Sequence, residues 1–303
     1  MNAALILAAN SSQEDSKRKP TDAVGGASSI KRLIMVFGQA GIKTIVVVTG
    51  YDAEALEKHC SHMGVVFVRN ESYETGDMLS SVKAGLDYLK GKCSKVFITP
   101  AHISLFSADT LNIMEHTDSQ VIIPANNEKA GHPLLLSESL FNRVLQYDGP
   151  EGLSGALSQD GISRSFVEVS DKGILADTRE RINVSGLIEQ QGLRKIRPDA
   201  KIQLICEKGF FGPGTLLLLK LTREVGSLKQ AAQQMGISYS KALKLIAGIE
   251  EQLGYKILES RQGGSGGGSS IVTKKAMDLM KRYAAFETEC LDYIKSAFER
   301  YFG

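Results

Sequence analysis

The chain has 303 residues, 43% of them hydrophobic and 23% charged, which excludes a disordered or fibrous protein and leaves room for two domains. The net charge of +2 hides two unlike parts. Residues 201–303 contain 15 basic and 10 acidic side chains, whereas residues 1–200 contain 21 and 24. We therefore expect the C-terminal part to be the one that meets a polyanion.

Location is predicted from the apolar runs and the cysteines. The apolar residues 3–9 are too few to span a membrane and lack the basic region and cleavage site of a signal peptide. The four cysteines form no C-x-x-C pair and are widely scattered. We therefore expect reduced thiols, a cytoplasmic protein and no membrane partner. The cysteines are Cys60, Cys93, Cys206 and Cys290.

Strand-like and helix-like segments alternate along the first part of the chain. Apolar or β-branched runs predict strands at residues 2–9, 44–49, 65–69, 95–99 and 120–124. Helical spacing predicts helices at residues 29–40, 53–62, 78–90 and 110–116. This alternation predicts a Rossmann-like α/β domain with a mostly parallel sheet covered on both faces. Ligands of such sheets bind at the carboxyl ends of the strands.

Five motifs, in the expected order, resemble those of molybdenum-cofactor nucleotidylyltransferases. Residues 7–26 (L-A-A-N-S-S-Q-E-D-S-K-R-K-P-T-D-A-V-G-G) are similar to the nucleotide loop of that family, L-A-A-G-x-S-x-R-M-G-x-x-K-x-L-x-x-x-G-G. Residues 70–86, residues 98–106 and Gly131-His132-Pro133 resemble later motifs, and residues 173–181 (G-I-L-A-D-T-R-E-R) resemble D-x-D-T-P-E-D. The resemblance implies a nucleotidyltransferase domain of about 180 residues. In that family the loop cradles a triphosphate and an Asp holds Mg²⁺.

The departures from that pattern fall on charged positions. Two loop glycines are Asn10 and Ser16, the loop Arg is Glu14, and the metal-binding Asp is His102. A carboxylate beside a triphosphate is repulsive, and a neutral imidazole is a poor ligand for Mg²⁺. We therefore predict no catalytic residue and no metal ligand, and expect Mg²⁺ and CTP as cofactors only if the domain is active. The predicted degenerate pocket consists of Asn10, Glu14, Ser16, Lys19, His102, His132 and Asp177.

Each retained pocket residue also has a plain structural interpretation. Lys19 is equally well a surface lysine, His102 a hydrogen-bonded loop histidine, and Asp177 the cap of a turn. His132 lies between a glycine and a proline in a predicted loop, and its side chain is placed equally well in a pocket or outside one. The sequence leaves these alternatives open.

A turn and a polar linker separate the first part of the chain from a second part of different character. Residues 171–173 (D-K-G) predict a hairpin turn, and the polar residues 188–200, with Gly192 and Pro198, predict a linker. We place the first domain at residues 1–191, the linker at 192–200 and the second domain at 201–303. Helices are predicted at residues 215–225 after Pro213, at 228–235 after the cap Ser227, and at 239–253 after the cap Ser238.

The end of the chain predicts a hairpin and one long helix. Strand-like residues 255–259 and 271–272 flank a Gly-rich segment, and residues 274–302 form a helix with one apolar stripe. A stripe of this length predicts a partner helix. Its members are Ala276, Met280, Tyr283, Phe286, Cys290, Ile294, Ala297 and Tyr301.

This second part resembles the N-terminal winged-helix domain of molybdate-responsive transcription regulators. The resemblance rests on F-G-P-G at 211–214, G-S-L-K-Q-A-A at 226–232, G-I-S-Y-S-K-A at 236–242 and the Gly-rich wing at 263–270. It implies a winged helix-turn-helix domain that binds double-stranded DNA, with a long helix that makes a homodimer. Tyr239 is alternatively a core residue, and the Gly-rich segment is alternatively a loop without a partner. The predicted DNA contacts are Ser238, Tyr239, Ser240, Lys241, Lys244, Arg261, Gly264 and Gly266.

Three functions compete at this point. The first is a DNA-binding transcription regulator linked to molybdenum-cofactor metabolism, whose first domain senses a nucleotide or molybdopterin-type effector or binds a partner. The second is an active molybdopterin cytidylyltransferase fused to a DNA-binding module. The third is a non-catalytic assembly factor for molybdenum enzymes. Glu14, Ser16 and His102 speak against the second, and the helix-turn-helix pattern favours the first over the third.

Overall fold

The computed structural model describes residues 1–9, 19–74, 77–180, 184–192, 196–261 and 269–302. The chain divides into two compact units, Met1–Arg194 and Lys195–Gly303. No helix in these described ranges is long and apolar enough to cross a membrane.

The first unit is built around one sheet. The strands of the unit are β1 (Asn2–Ala8), β2 (Ala23–Val24), β3 (Ala27–Ser28), β4 (Thr44–Thr49), β5 (Val66–Arg69), β6 (Lys95–Pro100), β7 (Val121–Asn126), β8 (Lys129–Ala130), β9 (Leu134–Ser137) and β10 (Arg164–Glu168). Strands β2 and β3 pair with each other, apart from the main sheet. Its helices are α1 (Ser29–Gln39), α2 (Ala53–Cys60), α3 (Met78–Leu89), α4 (Ala108–Glu115), α5 (Phe141–Gln146), α6 (Gly152–Leu157) and α7 (Ser185–Gln191), with 3-10 turns at Glu138–Leu140 and Lys172–Leu175.

The strand order is β10-β7-β9-β6-β1-β4-β5, with β8 paired to β7. Strands β5, β4, β1 and β6 are parallel, and β10 is parallel to β7. Strand β9 is antiparallel to both of its neighbours. The prediction of a mostly parallel α/β sheet is therefore confirmed, and the antiparallel β9 is an addition to it.

The core lies under helix α1, where three aromatic rings meet. The ring centroid of Phe37 is 6.0 Å from that of Phe97 and 5.8 Å from that of Phe106. All three side chains are fully buried. Such ring pairs add about 0.5–1.5 kcal/mol to the burial itself. They pack α1 against β6 and against the segment that carries Phe106.

The predicted hairpin turn at residues 171–173 is wrong. The Asp171 carboxylate is buried and accepts hydrogen bonds from the Ser107 N–H, the Thr110 hydroxyl and the Gly173 N–H, at 2.7, 2.7 and 2.8 Å. Because these bonds tie residue 171 to the start of α4, the chain enters a 3-10 turn instead of a hairpin.

The polar stretch 188–200 begins inside a helix, because residues 188–191 belong to α7; the linker placed at 192–200 starts just after that helix. Ile188 is buried, and the side-chain amide of Gln191 donates to the carbonyl oxygens of Ser104 and Phe106 at 2.8 and 3.2 Å. Gln191 also accepts a hydrogen bond from the buried guanidinium of Arg32 at 3.0 Å. A polar sequence is therefore buried here because all of these groups are paired.

The second unit is mainly helical, and its predicted helices are confirmed. Ser227 and Ser238 cap their helices by accepting from the backbone N–H groups of Gln230 and Lys241. The strand predicted at 255–259 begins later, at Leu258. The elements are β11 (Leu204–Ile205), β12 (Gly209–Phe211), α8 (Pro213–Val225), α9 (Leu228–Gln234), α10 (Tyr239–Leu253), β13 (Leu258–Arg261), β14 (Ser269–Val272) and α11 (Lys274–Phe302).

The later start of β13 has a local cause. Glu250, near the end of α10, accepts hydrogen bonds from the backbone N–H groups of Ile257 and Leu258 at 3.0 and 3.4 Å. These bonds hold the chain in a turn after Gly254, so strand pairing with β14 begins only at Leu258.

Candidate functional sites

The first candidate site contains His102 and Asp177, just beyond the carboxyl end of β6. The His102 Nε2 atom lies 3.9 Å from the Asp177 Oδ2 atom. A backbone bridge joins Ile103 to Asp177, and the N–H and hydroxyl of Thr178 both donate to the His102 carbonyl, at 2.9 and 2.8 Å. Backbone pairing thus brings together two residues that are far apart in the sequence.

Both carboxylate oxygens of Asp177 accept hydrogen bonds from Arg179. Oδ1 accepts from the Arg179 backbone N–H at 2.9 Å, and Nε donates to both oxygens at 3.1 Å. The Arg179 Nη2 atom donates to Oδ2 at 2.6 Å. Burial would raise the pKa of Asp177, but the hydrogen bonds from Arg179 lower this pKa below its usual value. The carboxylate is therefore ionised and already paired with a cation.

His102 carries no charge at neutral pH. Burial lowers its pKa to about 4, and the charges of Arg179 and His132 act in the same direction, whereas Asp177 opposes them. A neutral imidazole can donate or accept one hydrogen bond at each nitrogen, depending on its tautomer. It cannot replace the carboxylate charge that the family pattern has at this position.

These residues do not fit Mg²⁺, the metal that the family implies. Mg²⁺ needs oxygen ligands in near-octahedral geometry. Asp177 offers oxygens that already accept hydrogen bonds from a guanidinium, whose positive charge would repel a second cation. Within the part of the chain that the structure describes, no group of three or more His, Cys, Asp or Glu residues is placed to hold a metal.

Lys19 lines one pocket with His102 but is paired with a carboxylate. Its Nζ atom lies 3.2 Å from Oδ2 of Asp52, and both side chains are about half exposed. Ser29 and Arg179 also line this pocket. An exposed ion pair of this kind contributes little to stability. An anion would therefore replace Asp52 as the partner of Lys19 at small cost. The remaining lining residues are Pro20, Ala101 and Thr178.

The other predicted pocket residues divide into two groups. His132 follows β8, its backbone N–H donates to the Ile174 carbonyl at 2.9 Å, and burial lowers its pKa despite a backbone hydrogen bond with Ile98. Its peptide bond to Pro133 is cis. Asn10, Glu14 and Ser16 lie outside the described residues.

Sequence reasoning missed the two side chains that pair with the predicted site. Arg179 stands where the family motif has a proline, so the sequence contained a signal for it. Asp52 lies at the start of α2, far from the nucleotide loop, and nothing local to Lys19 indicated that pairing. Asp52 and Arg179 each place an opposite charge beside a residue retained from the family pattern, Lys19 and Asp177 respectively.

The second candidate site is the outer surface of helices α9 and α10. Ala231, Ala232, Ala242 and Ile246 are buried, whereas Ser240, Lys241 and Lys244 are exposed. Tyr239 is 46% exposed, so its alternative interpretation as a core residue is wrong. Five predicted DNA contacts, Ser238, Tyr239, Ser240, Lys241 and Lys244, therefore lie in or beside the first turns of α10 and are open to solvent.

The hairpin β13–β14 lies beside the turn between α8 and α9. The Ser270 N–H donates to the Gly226 carbonyl at 2.8 Å, and the Ser270 hydroxyl accepts from the Leu228 N–H at 3.4 Å. This fixes strand β14 next to α9. Gly264, Gly266 and the side chain of Arg261 lie outside the described part of the structure.

The predicted stripe on α11 has two halves. Ala276, Met280 and Tyr283 are buried within their own unit, where the Tyr283 hydroxyl donates to the Ile202 carbonyl at 2.8 Å. Phe286 and Tyr301 are 48% and 81% exposed. Only the second half of the stripe is thus open for a partner.

Comparison with known proteins finds relatives of two kinds. The sequence model of the MobA-like NTP transferase domain matches residues 4–164. A nucleotidyl transferase from Methanothermobacter thermautotroptrophicus has a similar structure, with 23% sequence identity and a TM-score of 0.51. The match covers 59% of this chain and 92% of that one. At this identity the likeness shows a shared fold.

A different group of relatives matches a shorter part of the chain. The DNA-binding transcriptional dual regulator ModE of Escherichia coli (strain K12) is 32% identical over 77 residues. The transcriptional regulator ModE of Shigella flexneri matches to the same extent. The match covers 25% of this chain and 29% of each relative, so the chain spans less than a third of these curated relatives.

Proposed function

We propose that this chain, which belongs to the family of MobA-like NTP transferase domains, is a DNA-binding transcription regulator. The second unit binds double-stranded DNA. The nucleotidyltransferase-like unit senses a ligand or binds a partner and does not transfer a nucleotide. The two resemblances found in the sequence support a link to molybdenum-cofactor metabolism, with a nucleotide or a molybdopterin-type compound as the effector.

The observation that carries this proposal is the surface of α9 and α10. These helices are joined at Gly236 by a short turn, and residues 227–248 contain Lys229, Lys241 and Lys244 but no acidic residue. In helix-turn-helix proteins that bind DNA, the N-terminal residues of the second helix contact base edges in the major groove. The match to ModE, described as a DNA-binding regulator, supports the same assignment.

Titration of the full chain against DNA tests the proposal. The protein is added to fluorescent duplexes of the gene's own upstream region and of a scrambled sequence, at several salt concentrations. We expect tighter binding to the upstream duplex and weaker binding for Lys244→Gln. Lys129→Gln, which changes an exposed lysine of the first unit, is the matched control. Equal or absent binding to both duplexes, with nucleotide and molybdopterin present, would refute the proposal.

A homodimer through α11 is part of the proposal. The second half of the stripe exposes Phe286 and Tyr293, and burying such aromatic side chains drives helix pairing. Light scattering of the full chain at micromolar concentration should give a dimer. Phe286→Asp, at an exposed position, should give a monomer with unchanged secondary structure. A monomer for the wild type would contradict this part.

Nucleotidyl transfer is the second candidate function, and the family match over residues 4–164 favours it. The pairing of Asp177 with Arg179 and the neutral His102 oppose it. We expect no pyrophosphate release from CTP or GTP with Mg²⁺ and molybdopterin. Turnover that Lys19→Ala abolishes would establish the second function in place of a degenerate site.

A further inference from the structure

Helix α10 exposes large apolar side chains beside its polar ones. Tyr239 is 46% exposed and Leu243 is 45% exposed, one helical turn apart. Ala247, a further turn along, is also exposed. Residues four apart lie on one face of a helix, so these three form a continuous apolar strip. We call Tyr239, Leu243 and Ala247 the apolar strip of α10.

Nearly half of the Tyr239 and Leu243 side chains faces solvent. The buried side of α10 consists of Ala242, Ile246 and Ile249, which face the unit's core. The strip lies outside this buried side, next to the exposed Ser240 and Lys244. A contact that removed the exposed part of Leu243 from water would be favourable.

The charge around the strip favours a polyanion as its partner. The first acidic residue after Ser227 is Glu250, more than two helical turns beyond Tyr239, whereas Lys229, Lys241 and Lys244 precede it. A face with lysines and no carboxylate attracts phosphate. In the major groove of DNA, the one apolar group that base edges present is the 5-methyl group of thymine.

We propose that the apolar strip of α10 recognises thymine methyl groups in the major groove, with Leu243 as the main contact. This rests on the proposed DNA binding and names the base that the helix prefers. Ser240 and Lys244 lie on the adjacent face, where they bond polar base edges or phosphates. The chain therefore selects sites with thymine at fixed positions in each half-site.

Removal of single methyl groups tests this directly. A duplex is first selected by the full-length protein from a random-sequence library. Each thymine is then replaced in turn by deoxyuridine, which lacks the methyl group and keeps every hydrogen-bonding group. We expect about fourfold weaker binding at one or two positions per half-site, the fold-change that burial of one methyl-sized group gives. The remaining positions should be unaffected.

Leu243→Ala identifies the side chain responsible. Because Leu243 is exposed, this variant should keep the wild-type melting temperature. It should bind the thymine duplex more weakly and no longer distinguish thymine from deoxyuridine at the sensitive position. Ile113→Ala, at a residue of the first unit with 48% exposure, is the matched control and should behave as the wild type.

The outcomes separate this inference from the proposed function. If the wild type selects no duplex, DNA binding itself is refuted and the inference falls with it. If a duplex is selected but every deoxyuridine substitution is neutral, DNA binding stands and methyl recognition is refuted. Unchanged DNA binding by Leu243→Ala would likewise overturn the inference.

Discussion

Replacing His102 by Gln should remove part of the protein's sensitivity to acid. In the folded chain burial lowers the His102 pKa to about 4, whereas an unfolded chain has the ordinary value of 6.5. Between these two pH values the unfolded state binds a proton that the folded state does not. Above pH 6.5 the titration of His102 therefore does not change the free energy of unfolding. As the pH falls from 6.5 to 4, this titration lowers the free energy of unfolding.

The size of this loss follows from the gap between the two pKa values. One pKa unit corresponds to 1.36 kcal/mol, so a gap from 6.5 to about 4 gives a loss of about 3 kcal/mol in the free energy of unfolding. This is an upper figure, because 28% of the side chain is exposed. Gln is close to His in size and polarity and does not titrate. The His102→Gln variant should therefore not lose this stability as the pH falls.

Urea unfolding of the full chain at pH 7 and pH 4.5, followed by circular dichroism, measures the effect. His62→Gln, at an exposed histidine, controls for removal of an imidazole from the surface. The histidine proton resonance that disappears in His102→Gln gives the pKa independently. The reasoning is refuted if that resonance titrates near pH 6.5, or if His102→Gln loses as much stability as the wild type.

Three further predictions concern single substitutions. Gly248→Ala should stabilise the second unit by about 1 kcal/mol in thermal melts, because the added Cβ meets no described atom within 4 Å; a lower melting temperature would contradict this. Gly173→Ala should cost about 1–3 kcal/mol in urea unfolding, since its Cβ would clash with the Leu105 carbonyl, whereas Gly38→Ala, in helix α1 with open space around it, should not lower the stability. Lys244→Gln should reduce the slope of log affinity against log salt by about 0.9 for each phosphate that the variant no longer neutralises, and an unchanged slope would exclude phosphate binding by Lys244.

The sequence was most informative where local signals coincide. Helix α10 was predicted with its observed bounds, because the Ser238 hydroxyl caps its start and Gly254 adopts the left-handed conformation at its end. Strand β4 was also predicted with its observed bounds, because six β-branched residues lie between Lys43 and a glycine. These elements depend on neighbours in the sequence, so propensity and capping suffice to locate them.

Elements fixed by distant partners were missed. Helix α7 resembles a polar loop in sequence, yet Gln191 is buried because Arg32, Ser104 and Phe106 pair with it from other segments. Strand β9 is short and was not predicted, and it is held by pairing with β6 and β7 on its two sides. Helix α7 has seven residues and strand β9 has four. The pattern of apolar residues in such short segments cannot indicate these distant contacts.

The candidate site in the first unit shows the same limit for charge. The sequence identified Lys19 and Asp177 as retained from the family pattern and His102 as a departure from it. It did not indicate that Asp52 pairs with Lys19 or that Arg179 pairs with Asp177. Lys19 and Asp177 are thus retained in the sequence, but their electrostatic roles differ from those in the family pattern. Such a role depends on which charge lies beside the residue.

This difference bears on what the first unit can bind. An NTP with Mg²⁺ needs a free carboxylate for the metal and free cations for the phosphates. Asp177 is held by several hydrogen bonds from one guanidinium, so freeing it costs far more than freeing Lys19 from its exposed pair with Asp52. An anionic ligand that arrives without a metal could engage Lys19 and leave the Asp177–Arg179 pair intact. The paired charges therefore favour ligand sensing over metal-dependent transfer in this unit.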